Sequence, residues 1–545
     1  MAVQSLPAVI DIDEVLPGTR CVFIDESASS TSANGLLQKH DGIVLVPQPT
    51  QSPNDPLNWS LWRKIWHTGL VCFAVALTAA TSNVAGSAST GVNEEYGISY
   101  DVFNTGAGVL FLAIGYWTLL SSPAVHLYGR RILYLVGATW GLIGNIWFGR
   151  LKTSSDAIWT QLFVGASESV AEAVVQLSLL DIWFEHQNGT SMGFSLGWRW
   201  IGYLGAIMSA FNFVLFYFGL EETAFPRERY QREQTENRAG PSSSPNSDEK
   251  TANAIPNVAD VNTSASDEEA AASPRDTDEF SINYTRPKSY WQRIALITPA
   301  PNLRGLGAKQ YVGRLWHTLR IFTFPAVWFA GLQWGMQNIA LSFYLTIEED
   351  YWTDDPWDYG DTAVSNMNIP CLIGSIIGCF YGGYLSDLFV LWASRRNRGI
   401  QEAEFRLYLM FLCVIIFPTG MWLFGIGSAK GWSWPVPYVG LGFIGFGYGC
   451  AGDLSLTYLA DCYPDMVLEG MVGVAVINNT LAMVFTFVAS YWLDTGVMDT
   501  FIELGVLGFV ILMLSLPMII WGKRARRWTK QRYLNFLEIR DGMGH

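Results

Sequence analysis

Charge is scarce in this chain. Asp, Glu, Lys and Arg make up 15% of its 545 residues, against roughly a quarter in an ordinary globular protein, while 50% are hydrophobic. A chain so composed does not keep most of its surface in water, which excludes a simple soluble domain. Positive charge is the scarcer sign: 34 Lys and Arg face 48 Asp and Glu, a net charge of -14, and no nucleic-acid partner is expected. The first 60 residues hold no apolar run of the signal-peptide kind. The tail is therefore expected to stay in the cytosol, with the first span acting as an uncleaved signal. Of seven cysteines, Cys72, Cys371, Cys379, Cys413 and Cys450 fall inside apolar runs, Cys462 at a rim and Cys21 in the tail, so neither disulfides nor a thiol metal site is expected. Six scattered histidines give no metal-ligand spacing. No phosphate-binding loop is present, which disfavours ATP-driven transport. Gly193-Phe-Ser-Leu-Gly197 matches Gly-x-Ser-x-Gly, but it lacks the strand-to-helix turn that a hydrolase nucleophile requires. The sequence does not read as an enzyme, and no cofactor is expected.

Long apolar runs are what the chain has in abundance. Crossing about 30 Å of hydrocarbon takes roughly 20 residues. Candidate spans cover 66–86, 104–125, 132–149, 157–184, 198–220, 321–347, 363–392, 405–427, 434–461, 467–493 and 500–522. These eleven imply an all-α polytopic membrane protein. Its layout is a polar tail (1–60), a first bundle (61–220), a central loop (221–315), a second bundle (316–522) and a short tail (523–545). The loop is rich in Ser, Asn, Ala, Asp and Glu and too poor in apolar residues to form a core, so disorder is expected. Its end, Ser289 to Thr298, is aromatic and amphipathic enough to lie on the membrane face.

Basic residues near span ends set the orientation. Arg63 and Lys64, Arg130 and Arg131, Arg395, Arg396 and Arg398, and Lys523 to Arg527 mark one side. The stretches 87–103 and 348–362 carry acids and no bases. Both termini and the central loop are thus expected in the cytosol. The count fails in one interval only. Between Arg131 and Arg227 there are three spans, an odd number, although both ends should lie inside. Glu185 to Gly197 cannot mend this, because thirteen residues, half of them polar, make a helix of only about 20 Å. Either a span is missing near Gly193, or one neighbour does not cross, or the second half is inverted; the missing span carries most weight.

Several segments taken together resemble the major facilitator superfamily, in particular fungal drug:proton antiporters. Asp55-Pro-Leu-Asn-Trp-Ser-Leu-Trp-Arg-Lys64 is similar to that branch's entry into its first helix, and Tyr128-Gly-Arg-Arg131 to the end of the loop signature between helices two and three. Phe184-Glu-His-Gln-Asn-Gly189 and Gly197-Trp-Arg-Trp200 resemble the segments flanking the family's fifth helix; Glu221-Glu-Thr223 and Tyr463-Pro464 resemble the exits of helices six and ten. Here the two flanking segments almost touch, so the resemblance points to the same gap as the charge count, and a lost exon explains it more simply than an eleven-helix transporter. The signature's acidic residue would fall near His126, while Gly383 and Asp387 keep a Gly-x-x-x-Asp version in the second half. The resemblance implies two pseudo-symmetric bundles, alternating access, and loop residues Gly129, Arg130, Arg131, Gly383, Asp387, Arg395 and Arg396 that help set the closed state. The arginines serve equally well as plain orientation markers.

Polar groups inside spans are costly and are therefore the candidates for a solute or proton path. Glu168, Glu172 and Gln176 recur every four residues and share one helix face. Two carboxyls one turn apart cannot easily both ionise, which suits proton coupling; a structural helix contact is the equal alternative. Asp453 lies in a Gly-rich span that could serve either the path or close packing. Gln333, Trp334, Gln337 and Asn338 form a polar-aromatic turn, and Asn83, Asn366, Asn368, Asn478 and Asn479 are either cavity-lining or interhelical contacts. The expected function is secondary transport of a small organic solute, as proton-coupled export across the plasma membrane by a monomer. Import of a nutrient or siderophore, and a non-transporting product with a hole in its first bundle, are the alternatives.

Overall fold

The computed structural model describes residues 16–21, 39–40, 43–44, 49–182 apart from Asn83, 205–225 and 287–542 with small gaps at 301–302, 304, 306, 351 and 353–356. Within the first half run α1 (Leu61–Ser82), α2 (Tyr100–Tyr128), α3 (Arg131–Phe148), α4 (Ser154–Ile182) and α5 (Gly205–Gly219). An amphipathic connector, α6 (Ala308–Thr318), leads to the second half: α7 (Pro325–Asp350), α8 (Asn368–Arg396), α9 (Ala403–Ala429), α10 (Pro435–Cys462), α11 (Val467–Leu493), α12 (Val497–Met513) and α13 (Ser515–Gly542). Seven of the described stretches are long and apolar enough on their own to cross a membrane. The all-α expectation holds.

Local chemistry places the breaks. Gly129 adopts φ +94°, a conformation open to glycine, and a Cβ there would strike the Glu222 carboxylate. This turn separates α2 from α3. Asp156 starts α4 by accepting from the Thr153 backbone N–H at 3.1 Å, and it ties back to the end of α3 through Trp147 Nε1 at 3.0 Å. In the second half, Gly374 and Gly445 let α8 and α10 meet backbone to backbone, since Cβ atoms there would run into the carbonyls of Gly442 and Cys371. The glycine-rich span thus serves close packing within one half.

Both halves use the same contacts. In the first, α4 packs on α1, α2 and α3, and α5 packs on α3; in the second, α10 packs on α7, α8 and α9, and α12 packs on α9. The correspondence is therefore α1 with α7, α2 with α8, α3 with α9, α4 with α10 and α5 with α12. Among the described residues α11 has no counterpart. It packs on α7 of its own half and along α2 of the other.

The arginines gather on one face. Arg130 pairs with Asp181 at 2.9 Å, and its backbone N–H, with that of Arg131, donates to Glu222 at 3.0 and 3.1 Å. Asp181 closes α4 and Glu222 follows α5, so these consecutive helices both end on the same face. The second half is not inverted, because the end of α2 meets the start of α11 there.

Three differences from the sequence reading concern the loop and tails. Residues 308–318, placed in or just beyond the loop, form α6. The C-terminal tail is not a short polar stretch but the continuation of α13, with Tyr533 and Phe536 buried. The N-terminal tail supplies a strand, Thr19–Cys21, which pairs antiparallel with Ile400–Glu402 of the second half. The stretch 226–286 lies outside the described residues.

Candidate functional site

Glu172 on α4 and Asn479 on α11 come together between the halves. Asn479 Nδ2 donates to Glu172 Oε1 at 3.5 Å, and its chain neighbour Asn478 is buried with both side-chain amide atoms unpartnered. An amide N–H is a donor that a buried carboxylate can use without a cation beside it. One turn away, Glu168 has the Ser82 side chain within reach, while its Oε2 is buried with no partner. Gln176, one turn beyond Glu172, is buried with its Oε1 unpartnered. Glu168, Glu172 and Gln176 follow one another turn by turn along α4, and Asn479 meets Glu172 from the opposite half.

Other candidates go elsewhere. Gln333 donates to the Ile511 carbonyl on α12 at 2.7 Å, a contact between helices. Trp334 is 4% exposed, lies against Gly452 and meets Tyr448 with ring centroids 4.8 Å apart. Gln337 and Asn338 are buried, and both side-chain amide atoms of Gln337 are unpartnered. Asn366 is exposed at the end of a short helix, Asp361–Asn366, and Asn368 accepts from the Tyr344 hydroxyl at 3.2 Å. Asp453 is fully buried with both oxygens unpartnered, beneath the π-turn Tyr381–Leu385 of α8, where a Cβ on Gly382 would lie 3.2 Å from it. It is a neighbour of the α8 network rather than of Glu172. Asn83 lies outside the described residues.

The loop-signature residues form three networks. Arg131, 1% exposed, donates through Nε to the Leu220 carbonyl at 2.9 Å and through Nη2 to Tyr217 at 2.6 Å, with Nη1 on the Ile294 carbonyl. It caps the end of α5, whose last carbonyls have no helical partners. In the second half, Gly383 is buried in the π-turn and Asp387 accepts from Arg406 Nη1 at 2.8 Å; Arg406 also pairs with Asp461. Asp461, near the end of α10, is thus the second carboxylate held by the buried Arg406. Arg395 and Arg396 are exposed, with Arg396 4.4 Å over the Trp392 ring. At the position where the signature's acid would fall, His126 Nε2 lies 3.3 Å from Glu469 Oε1 of α11.

Sequence reasoning missed Glu469, Arg406, Asp181 and the buried pair of Arg526 with Glu404. Rim acids within reach of rim arginines are the signal that was there to use. Beside His126, a small cavity is lined by Arg314, His317, Glu469 and Arg540, joining α2, α6, α11 and α13. Among the described residues no cluster of His, Cys, Asp and Glu could hold a metal ion.

A chain of pseudo-symmetric membrane helices with a polar centre between its halves defines a solute transporter of the two-bundle type. The family profile described as Major Facilitator Superfamily matches residues 189–487. An uncharacterised MFS-type transporter of Schizosaccharomyces pombe is 46% identical, with 97% of this chain and 95% of the relative covered. Protein HOL1 of Saccharomyces cerevisiae is also 46% identical, with 98% and 99% covered. The chain belongs to the major facilitator superfamily. These two alignments run over 563 and 583 residues, more than the 545 present here, so the relatives carry residues that have no counterpart in this chain. Among solved structures, the proton:xylose symporter XylE has a similar fold, with a TM-score of 0.50, 11% identity, and 84% of this chain and 96% of that one covered.

Proposed function

We propose that the protein moves a small organic solute across the plasma membrane by alternating access, exporting it in exchange for protons. The arginine-rich face is in the cytosol in this reading. The observation that carries it is the contact of Glu172 with Asn479, because these residues belong to helices of opposite halves and any rocking motion must break or remake it. Glu168, one turn along with an unpartnered oxygen, is the second proton carrier. Binding of a proton neutralises a carboxylate that would otherwise hold the amide, and release restores the contact in the other state.

The test uses membrane vesicles loaded with a rhodamine dye under an imposed pH gradient. Dye movement that follows the gradient in the wild type and is lost in Glu168→Gln plus Glu172→Gln supports the assignment. Dye movement with unchanged proton coupling in the double variant removes both glutamates from it.

A further inference from the structure

We infer that residues 16–21 are a detachable strap: docked in a peptide groove of the second half, they hold together the ends of α9, α10 and α13, and their release loosens the face on which the two halves close. The inference holds whichever solute is carried and whichever carboxylate carries protons.

The groove has two walls and a floor. One wall is the strand Ile400–Glu402 with the start of α9. The other is α13, tied to the first by Lys523 on Glu402 at 2.6 Å and by Arg526 on Glu404 at 2.9 and 2.5 Å. The floor is the backbone of Asp461 and Cys462 at the end of α10.

The tail fits this groove by pattern. Leu16-Pro17-Gly18-Thr19 closes a turn, with the Thr19 N–H donating to the Leu16 carbonyl at 3.0 Å and Gly18 at φ +77°. Proline followed by glycine at the two central positions is what a type II turn takes. The turn sets Gly18 on the floor, where a Cβ would lie 2.7 Å from the Asp461 carbonyl oxygen and 3.0 Å from Cys462 Cα. Space and backbone conformation therefore each demand glycine. Arg526 Nη1 donates to the Pro17 carbonyl at 2.5 Å and to the Thr19 hydroxyl at 3.1 Å, and Thr19–Cys21 then adds a strand antiparallel to Ile400–Glu402.

What the strap braces follows along α13. Arg526, Thr529, Tyr533 and Arg540 fall on one face of that helix. The Thr529 and Tyr463 hydroxyls bond at 2.7 Å, Tyr533 donates to Asp465 Oδ2 at 2.7 Å, and Arg540 Nη1 donates to the Asp465 carbonyl and lies 3.9 Å from Glu469. This ladder clamps the turn between α10 and α11, and Glu469 at its far end faces His126 of the first half. The strap sits on the first rung. Arg526 is 1% exposed and two of its acceptors belong to the tail, so undocking opens that rung to water.

Release is built in as well. The paired strand is three residues long, and Leu16, Pro17 and Thr19 are only half-buried. So short a ribbon is marginal by itself. Its covalent link to the first half, where Pro56–Asn58 packs on α4, makes the weak contact an intramolecular one and keeps it filled.

Hydrogen exchange on the full chain in detergent tests the strap. Gly18→Val is expected to speed exchange about ten-fold at Ile400–Glu402 and about three-fold at Val467–Met471, the start of α11. A synthetic peptide of residues 12–24 added to that variant is expected to restore protection at both places, and the same peptide carrying Gly18→Val to restore neither. Unchanged exchange at Ile400–Glu402 overturns the docking. Faster exchange there with Val467–Met471 unchanged overturns the bracing role. Restoration by both peptides, or by neither, overturns the groove as a reader of the Pro-Gly turn.

Discussion

His126 at the end of α2 and Glu469 at the start of α11 face each other at 3.3 Å, one from each half. The surroundings are cationic: Arg314 and Arg540 bear on His126, and Arg540 Nη1 lies 3.9 Å from Glu469. This contact therefore closes one face of the molecule with the base on α2 and the acid on α11. His126→Glu sets two carboxylates against each other, and a drop in melting temperature in detergent is the expected result. Adding Glu469→His exchanges the partners and is expected to recover more than half of the loss. Failure of the double variant to recover would show that the surrounding arginines, and not the pair, govern the site.

Arg131 is held by three carbonyls at the end of α5 and near Ile294, and a lysine cannot reach all three from one ammonium. Charge-assisted hydrogen bonds contribute about 1.5–3 kcal/mol each in the upper range of such measurements. Arg131→Ala and Arg131→Lys are both expected to lower the yield of monodisperse protein on size-exclusion chromatography. An unperturbed Arg131→Lys would reduce this residue to a marker of orientation.

Arg526 and Glu404 are 1% and 7% exposed as side chains and bond at 2.9 and 2.5 Å. Removing one partner strands the other, at about 3–5 kcal/mol, whereas replacing both with apolar residues of similar volume is close to neutral. Arg526→Ala is thus expected to unfold at markedly lower temperature than Arg526→Met with Glu404→Leu. Equal melting temperatures would show that water reaches the site.

His317 on α6 donates from Nε2 to the Phe536 carbonyl of α13, 3.0 Å away, and stacks on the Phe536 ring. Burial lowers its pKa from 6.5, the Phe536 carbonyl and Glu469 oppose this, and Arg320 and Arg540 reinforce it. A lowered value means that the unfolded imidazole binds protons first as pH falls, so docking of α13 is fully stable above 6.5 and weakens below it. Faster proteolysis at the C-terminal helix at pH 5.5 than at pH 7.5 is expected, with the difference reduced in His317→Phe. A pH-independent cleavage rate would contradict this.

The spans were legible because long apolar runs have few other solutions, and the polar face of Glu168, Glu172 and Gln176 because a four-residue period fixes direction on a helix. Which helix meets that face was not legible: Asn479 is 307 residues away in the chain, and only packing brings it to Glu172. For the same reason Gln333 could be a cavity residue or an interhelical contact until its partner, the Ile511 carbonyl, was known. Asp461 shows the limit most clearly. Near the end of a span an acid looks solvated, and here a single buried arginine, Arg406, changes its meaning.

The strand Thr19–Cys21 adds a constraint in time. It rests on Ile400–Glu402, and Thr19 also receives a hydrogen bond from Arg526, 507 residues later. At roughly 5–20 residues per second, a ribosome takes on the order of 25–100 s to cover that interval. Until Ile400–Glu402 has been made the strand has nothing to pair with, and until Arg526 follows the Thr19 hydroxyl lacks that donor, so whatever else binds this segment in the cell has that long to do so before the finished protein reclaims it.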